Sequence, residues 1–223
     1  YGASDLLPGL PWPQLKQSPH KWVIGFSDIS SIQSALYTLL GWPSIHGPMP
    51  ATSYWGEKSQ NDIHDLFSIL QETDFQRKLQ ITPVDPIDSH TLPIHGQLFG
   101  GCLSVLCNLI GTPYFPSSLK NTILFFEDID EPPEKILRYW NQLTQSHAFY
   151  DVKGIVFGHF ACPEIKDDLL FKKELARRAQ VSCWTCPRFG HISPNDPIVI
   201  GATANLSLTT LEWSIKRPVR TLI

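Results

Sequence analysis

A strand-to-helix turn with the sequence Trp22-Val-Ile-Gly-Phe-Ser-Asp28 constrains the fold of this chain more than any other stretch. Its first three residues are apolar and predict a buried strand, and the glycine that follows permits a sharp turn. Ser27 then lies at the bend. A helix is predicted over Ile32–Leu40, with Asp28 and Ser30 as candidate N-caps.

Ser27 is a candidate nucleophile because of its place in this turn. A serine between a strand and a helix is held with its hydroxyl clear of the sheet, and neighbouring N–H groups point to where an oxyanion would form. The pattern is Gly-x-Ser-Asp, whereas the nucleophile elbow of hydrolases is usually Gly-x-Ser-x-Gly. A turn that merely caps a helix is the alternative interpretation, and this stretch alone does not exclude it.

Length and charge narrow the classes of function. The 223 residues suffice for one large or two small domains, and 42% of them are hydrophobic, as in ordinary globular proteins. The net charge of −3 gives no basic stripe for nucleic acid, and no apolar run reaches the length of a membrane span. The chain begins at Tyr1 in what reads like the middle of a domain, so we expect a fragment or a processed product.

Strands alternate with helices in both halves of the sequence, which predicts an α/β fold. The stretch 83–95 is rich in proline and has little periodicity, so it is the predicted linker. We therefore expect two domains. Residues 1–82 would form the N-terminal sheet domain with the nucleophile turn, and residues 96–223 the C-terminal domain.

The five cysteines are an odd number, which favours a reducing compartment over a disulfide framework. Cys183 and Cys186 form a C-x-x-C that could be a redox pair or half of a zinc site. Zinc would need two further ligands, and a redox pair usually opens a helix. The pair here reads as a strand and its exit, so plain strand cysteines are favoured, with a thiol-redox or zinc protein as the alternative.

Three further features each allow two interpretations. His46, before Gly-Pro, is a candidate base, although a loop histidine that hydrogen-bonds locally is favoured. The glycine pair Gly100-Gly101, before a helix predicted over Leu103–Ile110, could cradle a phosphate or permit close backbone packing, and the packing is favoured. Glu127 ends an apolar strand, where it would serve a site or begin a solvated turn.

Several stretches, in order along the chain, resemble the LD-carboxypeptidase family of serine peptidases, which includes muramoyltetrapeptide carboxypeptidases and microcin C immunity peptidases. No single stretch is decisive, but the ordered set is specific and favours a nucleophile at the turn. The stretches are Tyr1-Gly-Ala-Ser-Asp-Leu-Leu-Pro8, Ile24-Gly-Phe-Ser-Asp-Ile29, His46-Gly-Pro-Met49, Gly100-Gly-Cys-Leu-Ser104, Leu109-Ile-Gly-Thr-Pro-Tyr114, Leu124-Phe-Phe-Glu-Asp128 with Glu131-Pro132, and Phe189-Gly-His191.

The resemblance implies a catalytic triad of Ser27, His191 and Glu127. Its histidine would act as the base for the serine, and its glutamate would fix the tautomer and orientation of the imidazole. The oxyanion would be held by the backbone N–H of Asp28, with Gly2 as the nearest candidate for a second donor. No metal and no cofactor are expected.

The implied function is release of the terminal D-alanine from murein tetrapeptide in peptidoglycan recycling, in the cytoplasm. A peptide substrate would be the partner, without nucleic acid or membrane, and family members often pair, so a homodimer is one expected assembly. Family members carry a further α/β portion ahead of Tyr1, and Cys102 replaces their usual asparagine. An immunity-type peptidase of the same family and a truncated, non-catalytic murein-peptide-binding protein therefore stay open as alternatives.

Overall fold

The structure, a computed structural model, describes residues 2–50, 55, 60–71, 74–193 and 195–216, so Tyr1 lies outside the described residues. The helices are α1 (Ala3–Leu6), α2 (Trp12–Gln17), α3 (Ser30–Leu40), α4 (Gln60–Gln71), α5 (Leu103–Cys107), α6 (Pro133–Gln145) and α7 (Asp168–Ala179). The strands are β1 (Ile24–Gly25), β2 (Ser44–His46), β3 (Asp74–Gln80), β4 (Thr82–Pro83), β5 (Ile94–Cys102), β6 (Thr122–Ile129), β7 (Gly154–Ala161), β8 (Cys183–Thr185), β9 (Ile198–Ile200), β10 (Thr203–Leu206) and β11 (Thr210–Lys216).

The described residues form two sheets, and the larger has eight strands in the order β3-β11-β10-β5-β6-β7-β8-β4. Its central strands β5, β6, β7 and β8 are parallel, and the flanking strands are antiparallel. β6 is buried along almost its whole length, as expected of a parallel strand covered on both faces. The carboxyl ends of the parallel strands form one edge, where α/β proteins usually place their sites.

The smaller sheet has three strands in the order β1-β2-β9. β1 and β2 are parallel, and β9 runs antiparallel to β2. The carboxyl ends of β1 and β2 therefore lie beside the start of β9. This arrangement brings the nucleophile turn after β1, the end of β2 and the segment that leads into β9 to the same edge.

Strands that precede the predicted linker pair with strands that follow it, in both sheets. β3 precedes residues 83–95, yet it pairs along its length with β11 in the large sheet. β9 follows the linker, yet it pairs with β2 in the small sheet. The two sheets therefore do not divide at 83–95. That residues 83–95 separate two domains stays a prediction.

The helices cover the large sheet with apolar side chains. α6 packs against α5 and α7. Trp140 of α6 is fully buried, and its indole N–H donates to the carbonyl of Leu175 in α7 (2.8 Å). Such a bond satisfies the polar tip of a buried tryptophan and fixes the contact between the two helices.

The α/β class predicted from the sequence is confirmed by this architecture. The helix predicted over 32–40 begins two residues earlier at Ser30, whereas the helix predicted over 103–110 ends at Cys107 and continues as turns. None of the helices among the described residues combines the length and the apolar composition that a membrane crossing requires.

Candidate active site

The nucleophile turn is held by its backbone. Ser27 has φ 60°, in the left-handed region that side chains other than glycine rarely adopt. A Cβ atom on Gly25 would lie 2.6 Å from the side chain of Ile29, so only glycine lets the strand turn this tightly. A short 3₁₀ turn, Ser27–Ile29, leads directly into α3. These are the features of a nucleophile elbow.

A buried glutamine braces the elbow from the helix that follows it. The amide nitrogen of Gln33 donates to the carbonyl of Gly25 (3.1 Å) and to that of Ile45 (2.7 Å). One side chain of α3 thereby ties together the carboxyl ends of β1 and β2. The relative placement of these two strand ends is consequently fixed by hydrogen bonds as well as by strand pairing.

The predicted capping roles of Asp28 and Ser30 are wrong, because both side chains hold other segments. α3 begins without a side-chain cap hydrogen bond. The carboxylate of Asp28 accepts from the backbone N–H of Ala3 (2.8 Å), and the hydroxyl of Ser30 accepts from that of Cys102 (3.0 Å). The first bond brings Gly2, the expected second oxyanion donor, next to the elbow. The second joins the elbow to the end of β5.

The glycine pair at the end of β5 serves close packing, as favoured from the sequence. A Cβ atom on Gly100 would lie 1.9 Å from the carbonyl oxygen of Phe125 in β6. One on Gly101, which has φ +144°, would lie 2.6 Å from the hydroxyl of Ser30. A side chain in place of Gly101 would therefore push the elbow away from the large sheet, whereas one in place of Gly100 would collide with β6.

Glu127 and His191 form a buried pair at the carboxyl end of β6. Nδ1 of His191 lies 2.7 Å from Oε2 of Glu127, and the two side chains are 8% and 0% exposed. Because an ionised carboxylate only accepts hydrogen bonds, Nδ1 carries the proton. Nε2 of the neutral ring is then left as the base. The ring also packs against Phe26, the neighbour of Ser27, with centroids 4.8 Å apart.

The segment that carries His191 is held at two points, one on β7 and one on the segment that leads into β9. The pairing of β6 with β7 shifts register beside Glu127, and at this bulge the N–H of His159 donates to the carbonyl of Phe189 (3.1 Å). The N–H of Gly190 donates to the side chain of Asn195 (3.1 Å). Bulges next to active sites often re-aim a side chain, and this one receives the segment that presents the histidine.

Gly190 is required for the approach of the histidine to the glutamate. Its φ is +111°, and a Cβ atom there would lie 2.9 Å from Cβ of Glu127. Both the backbone conformation and the space therefore call for glycine. The short sequence Gly-His thus has a physical meaning, since the glycine lets the histidine contact the carboxylate.

A second histidine binds the other oxygen of Glu127. Nε2 of His46, at the end of β2, lies 3.3 Å from Oε1, and both side chains are fully buried. The favoured expectation of a locally bonded loop histidine is wrong, because the partner is 81 residues away. The His-Gly-Pro sequence marked this residue as a candidate base, but nothing in the sequence indicates its contact with Glu127.

Burial and hydrogen bonding oppose each other at Glu127. Complete burial alone would raise the pKa of this carboxyl, but the hydrogen bonds from His191 and His46 outweigh it and lower the pKa to about 2. Glu127 is therefore ionised at neutral pH. A carboxylate in this state fixes the tautomer of His191, and it is suited to stabilising an imidazolium.

The neighbouring carboxyl, Asp128, behaves in the opposite way. Burial and the charge of Glu127 raise its pKa from the ordinary value of 3.8 to about 6, although hydrogen bonds from the backbone of Ser104 and Ile129 lower it. The N–H of Ser104, in the first turn of α5, donates to it at 2.7 Å. Asp128 thus anchors α5 behind the site.

Of the five predicted site residues, Glu127 and His191 are in direct contact, Ser27 and Asp28 lie in the elbow whose Phe26 packs against His191, and Gly2 precedes the Ala3 that bonds Asp28. The cysteines of the C-x-x-C are both buried and free, with Cys183 on β8 as predicted. Among the described residues there is no group of three or more side chains suited to a metal ion.

Family models identify the two parts of the chain. Residues 1–47 match the LD-carboxypeptidase N-terminal domain, and residues 95–206 match the LD-carboxypeptidase C-terminal domain. A murein tetrapeptide carboxypeptidase of Pseudomonas aeruginosa is 31% identical, over 96% of this chain and 71% of that protein. The chain belongs to the LD-carboxypeptidase family.

Solved structures of LD-carboxypeptidase relatives have the same fold. The crystal structure of muramoyltetrapeptide carboxypeptidase from Oxalobacter formigenes superposes with a TM-score of 0.81 at 26% identity, covering 97% of this chain and 76% of that one. An MccF-like protein from Bacillus anthracis gives a TM-score of 0.82 at 23% identity, covering 97% of this chain and 74% of that one. The two-domain LD-carboxypeptidase fold is therefore shared.

The chain is shorter than the family members it matches. It spans 65% of the length of curated relatives from Rickettsia conorii and Rickettsia prowazekii, each of which carries a carboxypeptidase name and is 30% identical. Membership of the LD-carboxypeptidase family concerns the segments that match.

Proposed function

We propose that this protein is a serine-type LD-carboxypeptidase that releases the terminal D-alanine from murein tetrapeptide. The observation that carries the proposal is the bond from Nδ1 of His191 to the buried carboxylate of Glu127 (2.7 Å), beside an elbow in which Ser27 has φ 60°. A serine in a strained turn, whose neighbour Phe26 packs against the oriented imidazole, supports nucleophilic acyl transfer.

The first half-reaction forms an acyl-enzyme. Nε2 of His191 takes the proton of the Ser27 hydroxyl, and Oγ attacks the carbonyl carbon that precedes the terminal D-alanine. The backbone N–H of Asp28 and that of Gly2 hold the oxyanion, and such donors often lower the barrier to acyl transfer more than any other group in the site. Glu127 stabilises the imidazolium. When the C–N bond breaks, His191 gives its proton to the amine of the departing D-alanine.

The second half-reaction returns the enzyme to its starting state. A water molecule gives a proton to Nε2 of His191 as its oxygen attacks the ester carbon. The same oxyanion donors stabilise the second tetrahedral intermediate. Collapse of that intermediate breaks the bond to Oγ, Ser27 recovers the proton from His191, and the shortened peptide leaves with a free carboxylate.

The substrate class follows from the relatives. A 31% identical protein is named murein tetrapeptide carboxypeptidase, and a structural neighbour at 26% identity is a muramoyltetrapeptide carboxypeptidase. The scissile bond would join the L-centre of a diamino acid to D-alanine. Removal of this residue belongs to peptidoglycan recycling, for which a cytoplasmic location is suitable. A homodimer stays a prediction.

The test is release of D-alanine from purified murein tetrapeptide, measured by mass spectrometry. The protein is compared with its Ser27→Ala variant and with Ser18→Ala as the matched control. Ser18 is an exposed serine whose hydroxyl bonds the carbonyl of Gln14, so the same substitution there should leave the rate unchanged. We expect release by the parent and by Ser18→Ala, and none above background by Ser27→Ala.

Other outcomes separate the alternatives. Binding of the tetrapeptide without release by any of the three proteins would indicate a murein-peptide-binding protein and contradict the proposed activity. Hydrolysis of an aminoacyl sulfamoyl adenosine without any release of D-alanine would indicate an immunity-type peptidase. Equal release by the parent and Ser27→Ala would contradict the assignment of the nucleophile.

A further inference from the structure

His46 lies in an apolar box behind the catalytic carboxylate. Its ring is fully buried, and the centroids of Phe26, Phe125 and Phe189 lie 6.3, 5.4 and 6.3 Å from it. These three rings come from the elbow, from β6 and from the segment before His191. A histidine in such surroundings is costly unless its polar atoms have partners.

One ring nitrogen of His46 has a partner, and that partner fixes the tautomer. Nε2 lies 3.3 Å from Oε1 of Glu127. The carboxylate is ionised and can only accept a hydrogen bond, so Nε2 must carry the proton. Nδ1, the other ring nitrogen, faces away from the carboxylate.

The environment of the other ring nitrogen, Nδ1, is different. Among the residues that the structure describes, no group hydrogen-bonds Nδ1 of His46, although this atom is buried. A buried polar atom without a partner lowers the stability of the folded state. An apolar side chain would fill the box between three phenylalanines without this cost. A hydrogen-bond donor at position 46 therefore contributes something that an apolar side chain cannot, which is the bond to Oε1 of Glu127.

We propose that His46 is a positioning residue, which holds the second oxygen of Glu127 and so fixes the carboxylate that orients His191. Each oxygen then has its own histidine, Oε2 with His191 and Oε1 with His46. His46 does not touch the reacting atoms. The consequence for catalysis rests on the proposed function, whereas the hydrogen bond itself does not.

Loss of this donor has a predictable electrostatic sign. Among the described residues, the titratable group that bonds His46 is Glu127 from β6, and His191 lies across that carboxylate. The three phenylalanine rings pack around the imidazole, and Gly25 and Ile198 flank it on the neighbouring strands. Without the donor, the charge of Glu127 is compensated less and holds the proton on His191 more strongly. The acid limb of the pH profile for kcat/KM should therefore move to higher pH.

Two amide substitutions form a matched pair. In His46→Gln the amide nitrogen reaches the place of Nε2, whereas in His46→Asn it reaches only that of Nδ1. We expect His46→Asn to lower kcat about 10- to 100-fold with little change in KM, and to move the acid limb upward by about half a pH unit or more. His46→Gln should stay within about fivefold of the parent and keep the limb in place. Equal losses in both variants with an unmoved limb would overturn the proposal, since that result indicates packing alone.

A measurement on the unaltered protein keeps the proposal testable if either variant fails to fold. Nitrogen-15 NMR of labelled imidazoles reports which ring nitrogen carries the proton. We expect a proton on Nε2 of His46, and an unprotonated Nε2 would overturn the inference. This readout needs no substrate. Failure to release D-alanine together with the expected tautomer would sink the proposed function and leave the role of His46 standing.

Discussion

The two sheets hold their parts of the site by different means. On the small sheet, Ser27 is placed by backbone geometry, with a left-handed φ at the serine and a glycine that admits no side chain. On the large sheet, Glu127 is placed by side-chain hydrogen bonds from two histidines inside a buried pocket. The position of the proposed nucleophile depends on backbone conformation, whereas the proposed acid-base pair depends on hydrogen bonds to a buried charge.

This difference has a practical consequence. Backbone strain does not titrate, so the position of Ser27 should be insensitive to pH. A buried carboxylate between imidazoles responds to every change of charge around it. Substitutions in the two regions should therefore differ in what they change. Those near the elbow should alter kcat at all pH values alike, and those near Glu127 should also alter the pH profile.

The largest effect is expected from Glu127→Gln. The amide can present a donor to His191 and favour the wrong tautomer, so kcat should fall about 10⁴-fold with little change in KM. Glu174→Gln is the matched control. The pKa of that carboxyl is also lowered to about 2, but by hydrogen bonds from Arg177 and Arg178 on the surface of α7. Steady-state kinetics should show no effect of Glu174→Gln on kcat. A similar loss of kcat in both variants would contradict the role of Glu127.

A smaller effect is expected from Gly190→Ala. The new Cβ would lie 2.9 Å from Cβ of Glu127, so the contact with His191 should widen and kcat should fall about 10- to 100-fold. Gly111→Ala is the control, because Gly111 also has a positive φ (+86°) but open space around it. Both variants should lose about 1 kcal/mol of unfolding free energy from backbone strain. Only Gly190→Ala should lose activity. Activity equal to the parent in that variant would contradict the need for glycine where His191 approaches Glu127.

Asp28→Ala probes the elbow region. Loss of the carboxylate frees the N–H of Ala3 and loosens Gly2, so kcat should fall about tenfold at all pH values alike. Asp167→Ala is the matched control, since its carboxylate also accepts from a backbone N–H, that of Leu170 (2.9 Å), at the start of α7. Kinetic profiles at several pH values would test this. A shifted acid limb in Asp28→Ala would break the contrast between the two regions.

The smallest effect is expected on the pH dependence of the free energy of unfolding, through Asp128. Its pKa is about 6 in the folded protein against an ordinary value of 3.8, so the folded state binds more protons between these values. Stability from this group is therefore present at low pH and lost as the pH rises through this window, by on the order of 2 kcal/mol. Asp128→Asn should remove that slope in urea unfolding measured from pH 4 to 6.

Glu127 has the opposite linkage and gives the comparison for that experiment. Its pKa is lowered to about 2, so its contribution to stability is present above the ordinary value of 4.5 and is lost as the pH falls toward 2. The slopes from the two neighbours lie in different pH ranges and have opposite signs. An unchanged slope in Asp128→Asn between pH 4 and 6 would contradict the assignment to Asp128.

Local patterns made the elements of the fold predictable. The apolar spacing of α3 and the continuous apolar run of β6 follow from residues that are neighbours in sequence. The position of Ser27 at a sharp turn followed from glycine and the adjoining strand. Its role, with those of Glu127 and His191, came from the ordered family motifs, and the structure places these side chains or their neighbours in contact.

Long-range contacts were not predictable in the same way. Asp28 and Ser30 have the chemistry of helix caps, but partners from α1 and β5 use their oxygens instead. His46 lies 81 residues from Glu127, and no local pattern encodes that bond. The pairing of β3 with β11 likewise joins distant segments. In each case tertiary packing determines the hydrogen-bond or strand partner, because the local sequence does not distinguish between the possible partners.

The central claim is that Ser27 on one sheet and Glu127 on the other act as one catalytic unit through His191. The most direct measurement is kcat for D-alanine release by Ser27→Ala, Glu127→Gln and the double variant. Residues that act as a unit are strongly non-additive, so the double variant should be no slower than Ser27→Ala alone. A double variant slowed by the product of the two single effects would contradict the account, because the two residues would then act independently.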